Sequence, residues 1–431
     1  MNSVVVIFFL LLLGALFLSY RWSGGAFSVS FLVMLYMGFL YLGALHFYFK
    51  EGHYTFIFVF VMVCFYLLGM LIASKAIPFK RNFHPNEPLK LHSPLHTSVL
   101  KISLSIVFIL ALVVAFYRVK VFGIPLLAQT WYTIGIRSTT GIVNRLMYNV
   151  GVVSLVIIAL ITYALYKSER EKFFLFMSLM SFICYEGFEI LQGGKSAAIM
   201  PLVLIGMTVF YANRKTPKKF MIAFGVIVLV LILFIGVFWA GIPSLYRIVE
   251  LYYERLTNRA ILHLDYLLYN WAPDHHYQFG RTIILEVKRI IAQVTSTPKE
   301  PLFNEIIGNL KQGYPTNLVT GLSPEISIFG MGFANFGIVG AILTAVIFGF
   351  VVQWLNLWLL SRGAADVFSF IVCVYFMFKL LGLARGGNIL ISFEKFLFEV
   401  TPVFTFILFS YMYLALLWPS TLIWRKLSYG A

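Results

Sequence analysis

The chain has 431 residues, of which 61% are hydrophobic and only 12% are charged, and its mean hydropathy is +0.89. Runs of about 20 apolar residues recur along it, which excludes a soluble globular protein and indicates an integral membrane protein. The formal net charge of +16 does not indicate a nucleic-acid partner, because the basic residues are spread over many loops and form no groove-binding module.

About eleven apolar stretches are predicted to cross the membrane as helices, because backbone groups in lipid must hydrogen-bond within their own segment. The fold class is therefore all-α, a polytopic helical membrane protein. Residues 1–20 have no charged region ahead of their apolar run and no small-residue cleavage site, so we interpret them as a retained span. The predicted spans are 3–20, 26–48, 54–73, 98–117, 148–166, 173–192, 197–212, 219–240, 334–360, 367–384 and 398–418.

Basic residues cluster in alternate short loops, and the positive-inside rule places these loops in the cytoplasm. They carry Lys75, Lys80, Arg81, Lys90, Lys167, Arg170, Lys172, Arg214, Lys215, Lys218, Lys219, Arg362, Arg425 and Lys426. The C-terminus is then inside and the N-terminus outside. The outer connections are 118–147, 193–196, 241–323 and 385–390, and any chemistry is expected there.

Residues 241–323 form the one long polar interruption of the chain. They divide it into a first membrane part, 1–240, an outer subdomain, and a second membrane part, 324–431. The first portion of the subdomain, about 246–271, has the periodicity of an amphipathic helix at the outer membrane surface.

Three basic or titratable residues recur every four positions on this predicted helix: Arg255, Arg259 and His263. A helix stacks them as one stripe, which is expected to face a cavity. The opposite face is expected to pack against spans or lipid through Leu256, Leu264, Leu267 and Leu268. The stripe is either a binding surface for phosphate or a face that contacts lipid headgroups.

Further cations lie in the predicted outer connections, and the candidates for binding a diphosphate are Arg137, Arg145, Lys195 and Arg385. Lys195 follows two glycines where a span begins, and Arg385 precedes two glycines. Both are expected at the same membrane level, approaching one another across a cavity. The alternative is that each is an interfacial anchor whose charge reaches the headgroups.

The candidates for a general base are His263, Asp265, Glu325 and Glu189. Glu189 shares a helix face with Glu186, and either carboxylate is alternatively the partner of Lys195. Glu325 follows Ser323-Pro324, so its alternative role is to stabilise the start of a helix.

No cofactor or metal site is predicted. Cys64, Cys184 and Cys373 all lie in apolar stretches, so no disulfide framework or CxxC site is available. The chain has no P-loop, no dinucleotide-binding glycine motif and no HExxH motif, and the adjacent pair His275-His276 is a weak metal signal.

Five stretches together resemble the Wzy-type oligosaccharide repeat-unit polymerases, a family that includes the O-antigen and enterobacterial common antigen polymerases. They are 123–127 (GIPLL), 193–197 (GGKSA), 315–324 (PTNLVTGLSP), 330–340 (GMGFANFGIVG) and 383–387 (LARGG). Each is short, and their order and outer placement carry the similarity. Members often have arginine at the position of Lys195, where lysine keeps the charge without the bidentate fork.

The resemblance implies a fold like that of GT-C glycan polymerases and ligases in the bacterial inner membrane, with a site that faces the periplasm. The implied reaction transfers a growing glycan from undecaprenyl diphosphate to another lipid-linked repeat unit without a metal. Its partners would be those lipid-linked oligosaccharides, membrane lipids and a chain-length-regulating co-polymerase.

Two alternatives stay open on the sequence. An O-antigen ligase uses the same donor lipid with a lipid A-core acceptor. A flippase or exporter of lipid-linked sugars requires broken helices and cations along a transmembrane path, which the sequence does not predict, although Lys379 lies within a span.

Overall fold

The computed structural model describes residues 3–76, 87–122, 147–191, 200–234, 247, 250, 261–272, 277–295, 297–317 and 325–417. Of the described residues, 85% are helical, which confirms the all-α class. Eight of the described helices are long and apolar enough to cross a membrane, so the protein is a multi-pass membrane protein. Each of the eleven predicted spans falls on a helix, and the number that cross the bilayer stays a prediction.

The helices before the long polar segment follow the predicted spans closely. They are α1 (Ser3–Ser23), α2 (Val29–Glu51), α3 (Thr55–Ala76), α4 (Thr97–Phe122), α5 (a π-helical turn at Asn149–Val153 continued by Ser154–Glu169), α6 (Lys172–Leu191), α7 (Met200–Asn213) and α8 (Lys218–Phe234). The described part of the predicted amphipathic helix, 261–271, is helical and ends in a π-helical turn at Leu267–Trp271, and we call it α9.

The rest of the chain adds two short helices in the predicted outer segment and three long ones. These are α10 (Arg281–Thr295), α11 (Phe303–Gln312), α12 (Ser327–Ser361), α13 (Val367–Gly386) and α14 (Ile389–Leu417). Two three-residue strands, β1 (Lys90–His92) and β2 (Ala364–Asp366), pair in parallel and join two connections that the sequence places inside.

The chain forms two compact units. The first contains 1–89, 202–363 and 373–394, and the second contains 90–201, 364–372 and 395–431. The described residues of 241–323 belong to the first unit, and α13 and α14 contribute to both.

Helix α12 reverses direction within its length. Phe336 and Gly337 have non-helical backbone angles, and Gly337 has φ +64°. A Cβ on Gly332 would lie 2.7 Å from the Gly340 carbonyl oxygen, and the rings of Phe329 and Phe348 are 6.3 Å apart. In a straight helix those two rings would be about 28 Å apart. Residues 327–335 therefore form a short arm that folds back along a long arm, 338–361.

Only the long arm has the length of a membrane span, about 36 Å against about 13 Å for the short arm. It corresponds to the predicted span 334–360. Close helix packing supports it: a Cβ on Gly69 would overlap the Val346 carbonyl oxygen, and one on Gly349 would overlap the Tyr66 carbonyl oxygen. Helix α3 and the long arm thus touch through their backbones, as small residues allow in membranes.

Contacts within the first unit agree with the predicted alternation of loops. His53 contacts Asp265, and Glu286 contacts Leu390. Asp265, Glu286 and Leu390 lie in predicted outer connections, and the alternation of the predicted spans puts the 49–53 connection of His53 on the same side. At the opposite end, Asn356 contacts Ser23. These contacts support the predicted topology of the spans, while the assignment of one face as cytoplasmic still rests on the basic loops.

The second unit packs α4, α5 and α6 together. A Cβ on Gly151 would lie 2.8 Å from the Ala115 backbone nitrogen, so α4 and the π-helical start of α5 are in close contact. The Asn149 side chain donates to the Phe398 carbonyl oxygen at 3.0 Å and links α5 to α14.

Candidate functional site

An ion pair lies at the base of the α12 hairpin, where the short arm begins. The turn at Phe336–Gly337 forms the opposite end, the tip. The Arg385 guanidinium donates to both carboxylate oxygens of Glu325. Both side chains are about 30% exposed, at 29% and 30%, so the pair is open on one side. Because Phe329 lies against Phe348, the pair lies beside the middle of the long arm.

The turn between α13 and α14 holds the pair together. Gly387 has φ +76°, and a Cβ there would lie 2.7 Å from the Ser327 carbonyl oxygen. Only glycine combines this left-handed backbone with so close an approach. The start of the short arm and the end of α13 are therefore pressed against each other, 60 positions apart in sequence.

Two buried polar atoms near the pair form no hydrogen bond with any of the described residues. They are the Tyr36 hydroxyl, which is close enough to Glu325 and Arg385 to interact with their charges, and the Asn388 Oδ1 in the α13–α14 turn. Unsatisfied buried polar groups are rare in native proteins and mark places where a ligand or water binds. This cluster of Tyr36, Glu325, Arg385 and Asn388 is called the hairpin-base site below.

The tip of the hairpin is tied to the outer segment. Asn335 accepts from the Gly280 backbone nitrogen at 2.9 Å and donates to the Thr282 hydroxyl at 2.7 Å. The backbone nitrogens of Gln278 and Phe279 donate to the carbonyl oxygens of Ala334 and Asn335. These bonds position the start of α10 on the tip.

Glu286 on α10 reaches the start of α14. Its carboxylate accepts from the backbone nitrogens of Leu390 at 2.6 Å and Ile391 at 3.1 Å, so it binds a helix N-terminus. Burial raises the pKa of Glu286, and the backbone hydrogen bonds oppose that rise. The sequence did not single out this residue.

A second polar cluster lies where the α2–α3 turn meets α9. The Asp265 carboxylate accepts from the Thr55 hydroxyl and lies 2.7 Å from His53 Nδ1. The His53 ring stacks on Tyr269 with centroids 4.1 Å apart, and Glu51 lies beside it. Of these residues the sequence had indicated only Asp265, because its partners are more than 200 positions away.

Of the three members of the predicted stripe, one lies among the described residues. His263 is half-buried, and Arg255 and Arg259 lie outside the described residues. The expected apolar packing is present at Leu264 and Leu267, which are buried, and Leu268 is half-buried. Asp265 is buried on the packed side of α9.

Glu189 belongs to the second unit. Its carboxylate accepts from the Tyr148 hydroxyl at 2.6 Å, and the Arg118 guanidinium lies over the Tyr148 ring at 4.9 Å. The Glu186 oxygens are buried and have no hydrogen-bond partner among the described residues. Lys195, the predicted partner of these acids, lies outside the described residues.

Several expectations about the site residues need revision or stay open. Arg385 lies in the last turn of α13 and not in an outer loop, because the helix continues to Gly386. Glu325 places its carboxylate on Arg385, and the cap residue Ile326 of α12 forms no side-chain cap. The predicted approach of Lys195 to Arg385 stays a prediction, as do the roles of Arg137 and Arg145, since all but Arg385 lie outside the described residues.

Comparison with known proteins adds no assignment: no protein-family description, curated protein or solved structure matches the chain.

Proposed function

We propose that this protein is a glycan polymerase that uses polyprenyl-diphosphate-linked oligosaccharides at the outer face of the bacterial inner membrane. One observation carries the proposal. Two of the stretches that resemble the Wzy-type family, 330–340 and 383–387, belong to segments that meet at the hairpin-base site, where Glu325 pairs with Arg385.

The reaction requires a cation for the leaving group. When the bond between C1 of the donor sugar and the diphosphate oxygen breaks, the electron pair goes to that oxygen and the diphosphate gains negative charge. The planar fork of Arg385 suits a phosphate and forms charge-assisted hydrogen bonds with it. Removing one such contact in comparable sites raises the barrier by about 2.7–4 kcal/mol.

The same ion pair offers a proton acceptor. As Arg385 turns to the diphosphate, the Glu325 carboxylate loses its partner and becomes a better base for the hydroxyl proton of the acceptor sugar. The acceptor oxygen then bonds to C1, and the proton moves to Glu325. Tyr36 and Asn388 are available to bind sugar hydroxyls, because their polar atoms have no partner among the described residues.

The proposal needs no cofactor, and it includes the other expected partners, which are membrane lipids and a co-polymerase that controls chain length. The outer cations of 137, 145, 195, 255 and 259 would bind the second diphosphate or the headgroups.

Purified protein in liposomes that contain lipid-linked repeat units tests the activity. We expect a ladder of products on a gel without any other acceptor. An O-antigen ligase would give no ladder under these conditions and would instead need lipid A-core. Absence of products with both acceptors contradicts a glycosyltransferase.

The reversal of α12 favours a second candidate, an exporter of lipid-linked sugars. Half-helices that end inside the membrane beside charged residues are typical of transporters. In the proposed exporter the short arm would be such a half-helix, because it begins beside the Glu325–Arg385 pair. In the same liposomes an exporter would move labelled lipid-linked sugar between leaflets without lengthening it, so one preparation separates the two functions.

A further inference from the structure

Three side chains of the types that can ligate metals converge where α2 ends and α3 begins. Ligand atoms of Glu51, His53 and Asp265 all lie within 4.8 Å of one another. Gly52 ends α2 in the left-handed conformation, with φ 75°, and this sharp turn directs Glu51 and His53 to the same place. Asp265 comes from α9, so two separate segments of the first unit build the cluster.

The spacing of these atoms is close to that of a metal site. His53 Nδ1 is 2.7 Å from Asp265 Oδ2 and 3.8 Å from Glu51 Oε2. Ligands bound tetrahedrally at about 2.0–2.1 Å from an ion lie about 3.3 Å apart, a value between these two distances. Shifts of about half an ångström bring His53 Nδ1 to this spacing from each carboxylate, and the two carboxylates lie within 4.8 Å of each other.

The surroundings hold the ligands in position. The Thr55 hydroxyl donates to Asp265, which is buried, and the ring of Tyr269 stacks on His53 and fixes its plane. Such supporting contacts orient ligands in known metal sites. Glu51 and His53 keep 40% and 26% of their side chains exposed, so an ion can enter from the outer face.

We propose that Glu51, His53 and Asp265 bind a divalent transition-metal ion of the zinc class. One imidazole and two carboxylates suit Zn²⁺, whereas Ca²⁺ and Mg²⁺ prefer oxygen ligands alone. The two carboxylates supply two negative charges, and Lys311, which interacts with both, offsets one of them. In the bound state Nδ1 of neutral His53 would give its lone pair to the ion while Nε2 carries the ring proton, and the three ligands would replace water molecules of the hydrated ion.

The bound ion would fasten the α2–α3 turn to α9, in addition to the hydrogen bonds of Asp265. Three protein ligands leave a fourth position for water or substrate. This inference does not depend on glycan polymerisation, because binding is measured without turnover.

The test is a zinc titration of the full-length protein in nanodiscs, freed of its affinity tag and of metal by a chelator. We expect one Zn²⁺ per chain by calorimetry. His53→Ala and Glu51→Gln should each weaken binding by about 10-fold or more, since they remove ligands. His96→Ala is the matched control, because His96 is exposed in the second unit, and it should bind zinc like the original protein.

The thermal midpoint without metal shows whether each variant is folded. Glu51→Gln changes an exposed side chain, so it keeps the test valid if His53→Ala unfolds. Absence of stoichiometric binding to the original protein overturns the proposal, and so does equal affinity in a folded Glu51→Gln variant. In either case the cluster is a hydrogen-bonded contact between α3 and α9 only.

Discussion

Two polar clusters lie along α12 in the first unit, one near its inner end and one at the hairpin base. At the inner end, Gln353 and Asn356 are fully buried. Asn356 accepts from the Tyr211 hydroxyl at 2.8 Å and donates to the Ser23 carbonyl oxygen at 3.1 Å, and Gln353 donates to the Trp22 carbonyl oxygen at 3.0 Å. All these groups are neutral and hydrogen-bonded.

The hairpin-base site differs from this inner cluster in charge, exposure and hydrogen bonding. Its central groups, Glu325 and Arg385, are charged and partly exposed, and the polar atoms of Tyr36 and Asn388 have no hydrogen-bond partner among the described residues. A neutral cluster whose polar groups are all hydrogen-bonded gives the bundle a unique packing. A charged, partly exposed cluster with polar groups that have no partner retains the capacity to bind a ligand. The difference predicts that the inner cluster determines stability and the hairpin base determines activity.

The largest expected effect is on activity at the hairpin base. Arg385→Ala should lower ladder formation by about 10²–10³-fold, because the leaving diphosphate loses its cation. The measurement is the rate of product formation in liposomes at matched protein levels.

Two further variants make this result interpretable. Arg385→Gln combined with Glu325→Gln leaves no unpaired charge and should fold, yet remain inactive. Lys288→Ala removes an outer cation that pairs with Glu300 in an exposed position, and it should leave activity unchanged. Ladders at the original rate in Arg385→Ala would remove the hairpin base from the reaction.

The next effect is on stability at the inner end. Asn356→Ala leaves the Tyr211 hydroxyl and the Ser23 carbonyl oxygen without their partner, and each buried orphan costs about 1–3 kcal/mol. We expect a lower thermal midpoint and normal activity per folded molecule. Unchanged stability, or a loss of activity in fully folded protein, would contradict the division of roles between the two clusters.

A third variant separates the arms of the hairpin. A Cβ on Gly332 would lie 2.5 Å from the Thr344 hydroxyl and 2.7 Å from the Gly340 carbonyl oxygen, so Gly332→Ala forces the arms apart at a cost of about 1–3 kcal/mol. Activity should fall because the short arm positions Glu325. Gly225→Ala is the control, since a Cβ there meets nothing within 4 Å. Equal behaviour of the two variants in melting and ladder assays would refute the reversal of α12.

The sequence predicts the helices well and the sites poorly, for separate physical reasons. An apolar run long enough to cross the bilayer is a local property, so the stretches 54–73 and 367–384 coincide with α3 and α13. The reversal at Phe336–Gly337 lies within a mostly apolar run, where Asn335 and Gly337 are its local signals. The partners of Arg385 and Asp265 are set by packing between distant segments, which periodicity does not encode.

The smallest expected effect on stability is at Glu286. This residue shares features of both clusters, because its side chain is ionisable like those of the hairpin-base site, yet it is buried and hydrogen-bonded to backbone like those of the inner cluster. Burial raises its pKa above the ordinary value of 4.5 in the folded protein. The folded state therefore holds this proton more tightly than the unfolded state, so its contribution to stability is full below pH 4.5 and is lost as the pH rises through the raised value. Glu286→Gln removes this titration, and the resulting difference in stability should be about 1 kcal/mol or less.

Thermal midpoints of both proteins across this pH range measure this difference: the original protein should lose more stability than the variant as the pH rises. If the two curves stay parallel, Glu286 does not change its ionisation on unfolding, and its hydrogen bonds to the start of α14 fully offset its burial. If the variant folds normally but forms no ladders, Glu286 belongs to the active cluster at the hairpin base and not to the structural one.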